Sequence, residues 1–203
     1  MTYKKSLLTL LIALATIAFS YFYLDLSAAQ WAHDHLTHPQ KEIFILITKF
    51  GDSTFYLIGF AVAAFFFRFY WKRPTWENRS LFLFAAVAVS GILADIVKVI
   101  AGRYRPSEFF EHGLYGFDFF HLERAFTSFP SGHTATAFSL AFALSYIWPR
   151  LSPMVWIFAA IVGVSRIAIG AHYPSDVLGG ALTGILSLYL ILHYWKKNPK
   201  LAL

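Results

Sequence analysis

Long apolar runs dominate the chain, and the polar residues gather in short clusters between them. A helix needs roughly 20 apolar residues to cross the hydrocarbon core of a bilayer. Six runs are candidates, at residues 6–24, 54–67, 80–97, 133–148, 153–170 and 174–194. The second and fourth are short and must extend into their flanks to span. No repeat, low-complexity tract or linker interrupts the series. The pattern predicts an all-α fold, a six-transmembrane-helix bundle forming a single membrane domain over residues 1–203. Lys4 and Lys5 ahead of the first run would suit a signal peptide. The run continues through Tyr21, Phe22, Tyr23 and Leu24, longer than a typical signal core, so an uncleaved anchor is expected.

Composition agrees. Hydrophobic residues make up 58% of the 203 and charged residues only 14%, too little charge to cover a water-exposed surface of this size. The formal charge of +6 does not indicate a nucleic-acid partner, because the basic residues sit in clusters between apolar runs rather than along a stripe. The absence of cysteine excludes thiolate chemistry and a disulfide framework.

With six spans, one side of the membrane receives Lys4, Lys5, Arg68, Lys72, Arg73, Arg79, Arg150, Lys196, Lys197 and Lys200, against one acid, Glu77. The positive-inside rule makes that side cytoplasmic, with both termini. Trp71, Trp76, Trp148, Tyr194 and Trp195 fall near the same boundary, where aromatic belts form.

Three polar clusters then share the opposite, extracytoplasmic face. The first closes the third run, with Lys98 and Arg105 nearly two helical turns apart and Pro106 as a stop. Asp95, one turn before Lys98, is placed to pair with it. The second, Pro130-Ser131-Gly132-His133, opens the fourth run with an N-cap serine and a glycine that permits close backbone approach to an anion at the helix N-terminus. The third joins the last two runs: Ser165-Arg166, then His172-Tyr173-Pro174-Ser175-Asp176. An arginine such as Arg166 inside an apolar run is costly unless it faces a polar cavity. Asp176 falls in the first turn of the last helix, within reach of His172. Singly, each cluster has an ordinary explanation as a helix cap or a snorkelling helix end. Together on one face they supply three cations, a helix N-terminus, two histidines and an acid. That is a phosphate cradle with a nucleophile and a proton donor, and it offers no evident metal-ligand set. The residues alone leave open which histidine attacks.

These three clusters resemble the signature motifs of the type 2 phosphatidic acid phosphatase superfamily. Six residues separate Lys98 from Arg105-Pro106, five separate Arg166 from His172, and three separate His172 from Asp176, with no departure at any motif position. The resemblance implies that His172 attacks phosphorus and forms a phosphohistidine, that Asp176 orients it, and that His133 protonates the leaving lipid oxygen. Lys98, Arg105 and Arg166, with Ser131 and Gly132, would hold the phosphate oxygens, with no metal or other cofactor. The implied protein is a lipid phosphatase, and the inner basic bias and small size point to a bacterial plasma membrane. Its candidate substrates are undecaprenyl pyrophosphate, phosphatidylglycerol phosphate, phosphatidic acid and lipid A phosphate. Six spans argue against the soluble acid phosphatases and vanadium haloperoxidases of the same superfamily. A non-enzymatic anion-binding protein or transporter is the alternative, but anion binding needs neither nucleophile nor acid. The aromatic stretch 107–129 is expected to lie in the interface beside the site, against acyl or prenyl chains or packed over the spans. His33, Asp34, His35 and His38 are read as a short interfacial helix rather than a metal site. Gly180 and Gly184 are read as a close helix contact within the bundle.

Overall fold

The computed structural model describes residues 3–197 and 203, with side chains from Leu7 onward. Lys200 and the side chains of Lys4 and Lys5 lie outside the described residues. The elements are α1 (Tyr3–Tyr23), α2 (Asp25–His35), α3 (His38–Thr48), α4 (Ser53–Phe69), α5 (Pro74–Ala101), α6 (Pro106–His112), α7 (Gly132–Ile147), α8 (Ser152–Ala168) and α9 (Pro174–Trp195). Extended pairing among the described residues is limited to isolated bridges from Arg103 to Phe117 and Thr127. The fold is all-α, as the apolar pattern predicts.

Contacts at the two ends give the order of the bundle. At one end Arg68 on α4 pairs with Glu77 on α5 at 2.9 Å, and Trp76 on α5 meets Trp148 just past α7. Phe82 on α5 meets Trp195 on α9 at that same end. At the other end, Ser131 ahead of α7 donates its N–H to the carbonyl of Asp176 in α9, and His172 ahead of α9 bonds Ser128 ahead of α7. Helices α4, α5, α7, α8 and α9 therefore alternate in direction. All three polar clusters lie at one end.

The spans themselves differ from the sequence expectation in three places. Among the described residues, four stretches are long and apolar enough to cross a membrane: His38–Phe69, Pro74–Ala101, Pro149–Ala168 and Pro174–Trp195. A bent pair, α1 with α2, makes a fifth if counted as one span, with an angle of 56° between its halves. The second run is longer than expected because α3 and the 3-10 turn Lys49–Gly51 lead into α4. The fourth run is shorter: α7 has 16 residues and does not reach spanning length by itself. The reason is its position. It packs against α5, α8 and α9 and buries half its residues, mostly Ala, Ser and Thr, so its neighbours rather than lipid surround it.

Two apolar clusters hold α7 in place. Phe82, Leu83, Ala86 and Val87 of α5 pack with Leu140 and Ala143 of α7 and with Leu188, Ile191 and Leu192 of α9. Ala137 and Ala141 pack against Ala159 and Val162 of α8. The α7–α9 contact needs glycine. A Cβ at Gly180 or Gly184 would sit 2.4 Å from the carbonyl oxygen of Ser131 or Ala135, closer than atoms approach. The expected intrabundle contact is present, and it brings the start of α7 against the start of α9, where the site lies.

Gly184→Ala should therefore destabilise the folded bundle by about 1–3 kcal/mol, the usual cost of overpacking. A lowered Tm in detergent checks this. Gly59→Ala serves as control, because a Cβ there meets nothing within 4 Å and its Tm should hold or rise.

Candidate active site

The other seven sequence-predicted residues gather at one end of the bundle around His172. The imidazole is buried, and its Nδ1 lies 2.7 Å from the carbonyl oxygen of Ser128. A carbonyl only accepts, so Nδ1 carries the proton and Nε2 keeps its lone pair. Asp176 Oδ2 stands 3.6 Å from Nδ1, behind the ring but beyond hydrogen-bonding distance. The expected Asp176–His172 pairing is thus one step removed, and the physical reason is the demand already on Asp176. Its Oδ2 accepts from the Ser128 hydroxyl at 2.6 Å and from the Tyr173 N–H at 2.8 Å, and its Oδ1 accepts from Arg103. Ser128, unmarked by any motif, is the residue that sets the tautomer.

The cations take up positions around this histidine. Lys98 donates to Asp95 at 2.8 Å, as its spacing predicts, and its ammonium lies beside Gly132: a Cβ built at Gly132 would be 3.1 Å from Nζ. Arg105 is held by backbone carbonyls, those of Arg124 at 2.9 Å, Thr127 at 3.2 Å and Ala171 at 3.3 Å, which fix the guanidinium next to the His172 turn. Arg166 donates from one terminal nitrogen to Thr48 Oγ1 at 2.7 Å, while its buried Nε has no hydrogen-bond partner. His133 lies within electrostatic reach of Arg166, His172, Asp52 and Lys98. Gly51 crowds against it, with space for a Cβ only 2.7 Å from His133 Cβ.

Ser131 behaves differently from expectation. It occupies the N-cap position, but its hydroxyl accepts from Thr134 at 2.9 Å and its N–H donates to the Asp176 carbonyl at 3.0 Å. What this turn has left for an anion is the pair of N–H groups of Gly132 and His133, unused in the first turn of α7.

Three further residues escaped the sequence reading. Arg103 is 0% exposed and its guanidinium bridges Asp176 to Asp25, the residue that opens α2. Thr48 anchors Arg166. A single acid at position 25 inside an otherwise apolar stretch was a readable signal, since an intramembrane carboxylate needs a partner. Arg103 lay inside the first motif without a spacing rule to mark it.

The aromatic stretch is tied down beside the site. Gly102 accepts from the N–H of Asp118, Tyr104 donates to Gly116, and Arg105 donates to Ala125. Phe119, Phe120 and Leu122 remain largely exposed. An apolar groove of about 340 Å³ runs between this stretch and α5, lined by Val97, Ile100, Ala101, Phe117, Phe119 and Phe129. In the segment read as interfacial, His33 stacks on Phe110, Trp31 on His35, and Gln30 bonds Asp34.

Residues 79–200 match the PAP2 superfamily, which takes in every motif described. This chain belongs to the PAP2 superfamily. It is 38% identical over 168 residues to the lipid A 1-phosphatase of Rhizobium etli, covering 76% of this chain and 71% of that one. It superposes on the crystal structure of a transmembrane PAP2-type phosphatidylglycerolphosphate phosphatase from Bacillus subtilis with a TM-score of 0.67 at 26% identity, covering 94% of each chain. Aquifex aeolicus LpxE gives a TM-score of 0.63 at 25% identity, over 84% of this chain and 96% of that one. As a PAP2 protein with apolar spanning helices, the chain is an integral membrane protein and a hydrolase of lipid phosphate esters.

The surroundings of His172 in this PAP2 site give a pH expectation. Burial pushes its imidazole down to about 4; Asp176 opposes that shift, and Arg105 and Arg166 add to it. The unfolded chain, with an ordinary histidine near 6.5, takes up the proton first as pH falls. The stabilisation from keeping His172 neutral is therefore fully present above pH 6.5 and is lost progressively toward pH 4. The imidazole carbon shifts of His172, assigned by their loss in His172→Gln, should stay at their neutral values from pH 8 down to pH 5.5. An inflection near 6.5 would contradict this.

Proposed function

We propose that this lipid phosphatase transfers a phosphoryl group from its lipid to His172 and from there to water. The observation that carries the reading is the hydrogen bond from His172 Nδ1 to the Ser128 carbonyl, which leaves Nε2 as the nitrogen able to attack. The P–Nε2 bond forms as the bond from phosphorus to the lipid-side oxygen breaks, and His133 gives that oxygen its proton. Water, giving a proton to His133, then attacks phosphorus, releases inorganic phosphate and returns His172 to its neutral state. Lys98, Arg105 and Arg166, with the N–H groups of Gly132 and His133, hold the non-bridging oxygens and stabilise the charge that builds on them. The unpaired Nε of Arg166 supports this assignment, because a phosphate oxygen would supply the acceptor it lacks. Asp176 supports the ring as it turns cationic. A transporter or anion-binding scaffold would have no use for a histidine held in one tautomer with its second nitrogen free.

The substrate class is a membrane lipid ending in a phosphate monoester or a pyrophosphate. The 38% identity to a lipid A 1-phosphatase supports lipid A 1-phosphate as the first lipid to test, ahead of undecaprenyl pyrophosphate, phosphatidylglycerol phosphate and phosphatidic acid. The apolar groove between α5 and the aromatic stretch is the place for an acyl or prenyl chain, reached sideways from the membrane. Phosphate release from these four lipids in detergent ranks them. With the preferred one, His172→Ala should lose turnover on the order of a thousandfold or more, and His133→Ala on the order of a hundredfold or more. Near wild-type release by His172→Ala removes the mechanism.

We further place α1, α4, α5, α7, α8 and α9 across a bacterial plasma membrane, both termini inside and the site outside. Support comes from the basic loops opposite the site and from the alternation of the helices. The chain has no cysteine of its own, so single cysteines report sidedness cleanly. An exposed cysteine from His112→Cys should react with an impermeant thiol reagent in intact cells, and one from Thr75→Cys only after lysis. The reverse pattern would put the site in the cytoplasm.

A further inference from the structure

Arg103 is the largest fully buried side chain, and the phosphate cradle does not account for it. One terminal nitrogen of its guanidinium donates to Asp176 Oδ1 and to the Ser175 hydroxyl at 2.6 Å; the other donates to Asp25 Oδ2. Asp25 in turn accepts the Ser175 N–H at 2.9 Å and the Ser175 hydroxyl. The rings of Tyr21, Tyr115, Phe117 and Tyr173 surround the guanidinium, with centroids 4.7–5.7 Å from Cζ. The cluster thus joins the α1–α2 bend, the segment after α5 and the first turn of α9. All three charged side chains are fully buried.

The same cluster grips Ser128. The backbone carbonyl of Arg103 accepts the Ser128 N–H at 3.0 Å, and Asp176 accepts the Ser128 hydroxyl at 2.6 Å. The third polar group of Ser128, its carbonyl, is the one that holds His172 Nδ1. One guanidinium between two carboxylates leaves a formal charge of −1, and it lies behind a ring that becomes cationic when its other nitrogen is phosphorylated.

We propose that Asp25 and Arg103 are positioning residues for phosphoryl transfer: they fix Asp176 and Ser128 behind His172, and Asp25 supplies the surplus negative charge that favours the phosphorylated imidazolium. This rests on His172 as nucleophile. Asp25 is the informative member, because it lies outside the three motifs and touches neither His172 nor a cradle cation in the contacts described. Buried ion clusters carry a large desolvation cost, and one fixed beside a reacting group acts through the field it holds in place.

The test is a split between kcat and KM. Asp25→Asn keeps the volume and leaves a balanced Arg103–Asp176 pair in place. Its kcat should fall roughly ten- to a hundredfold, the scale of losing part of a preorganised field, with KM within about twofold because Lys98, Arg105 and Arg166 are untouched. Arg103→Lys, which keeps the charge but not the fork, should retain more kcat than Arg103→Gln. Binding of inorganic phosphate by calorimetry, at wild-type affinity, certifies that each variant is folded with its cradle intact. Wild-type kcat in both Asp25→Asn and Arg103→Lys, or a loss confined to Tm, overturns the proposal. His172→Ala runs alongside. If it stays active, the phosphohistidine reading fails; if it is dead while Asp25→Asn is normal, only the positioning role fails.

Discussion

Asp25, Arg103 and Asp176 have no access to water, and a charge in such a place is tolerated only where its partners are fixed. That requirement organises the functional end of the bundle. Asp176 enters at the first turn of α9, where the helix dipole favours an anion. Arg103 leaves α5 just past Gly102, whose left-handed backbone (φ 57°) ends the helix and lets the chain pass within a Cβ radius of the Asp118 carbonyl. Asp25 arrives from a bend of 56° between α1 and α2. Each of these local breaks would be a defect in a straight spanning helix. Together they bring three side chains from distant parts of the sequence to one point.

The catalytic end needs the opposite electrostatic arrangement a few ångströms away. Arg105 and Arg166 lie within electrostatic reach of each other, Arg166 and Lys98 both bear on His133, and Arg166 keeps a buried nitrogen unpaired. Like charges gathered this way repel, and on the proposed function a bound phosphate would offset that repulsion. The scaffold tolerates the strain because backbone carbonyls of Arg124, Thr127 and Ala171 secure Arg105, Asp95 secures Lys98, and Thr48 secures Arg166. The glycine contact of α9 with α7 completes the cradle by holding the open N-terminus of α7 against the His172 turn.

The motif residues were legible because their spacing is short-range. Each cluster lies in one short stretch of chain, a helix end with its adjoining turn: Lys98 closes α5 and Arg105 precedes α6, Ser131 to His133 open α7, and Arg166 near the end of α8 leads through the turn to Asp176 at the start of α9. Residues that act across elements left weaker marks. Ser128 contributes a backbone carbonyl, which any residue possesses, so no side-chain pattern announces it. The Arg103–Asp25 pair spans 78 positions, and only the cost of an isolated acid in an apolar run hinted at it. Spanning helices were legible where lipid demands apolarity. The rule weakened for α7, whose small and hydroxylated residues face protein on most sides, and for α3–α4, where the run read as 54–67 is only the later part of a stretch that a 3-10 turn extends back to α3.

On the proposed mechanism, histidine as a nucleophile sets two demands that pull against each other. The attacking nitrogen must be unprotonated, and burial beside Arg105 and Arg166 secures that. Once phosphorylated, the ring would be a cation in the same dry, cation-rich place, and the burial and positive charge that kept it neutral would oppose the product. A single surface carboxylate would be too strongly screened to offset them. Here the opposing field comes from the far side of the ring, from a carbonyl at 2.7 Å and a carboxylate at 3.6 Å, neither of which can turn away. Separating the two fields onto the two nitrogens of one imidazole lets the same residue rest as a base and react as a cation. It also explains why so much buried polar structure lies behind a side chain whose reacting atom faces the other way.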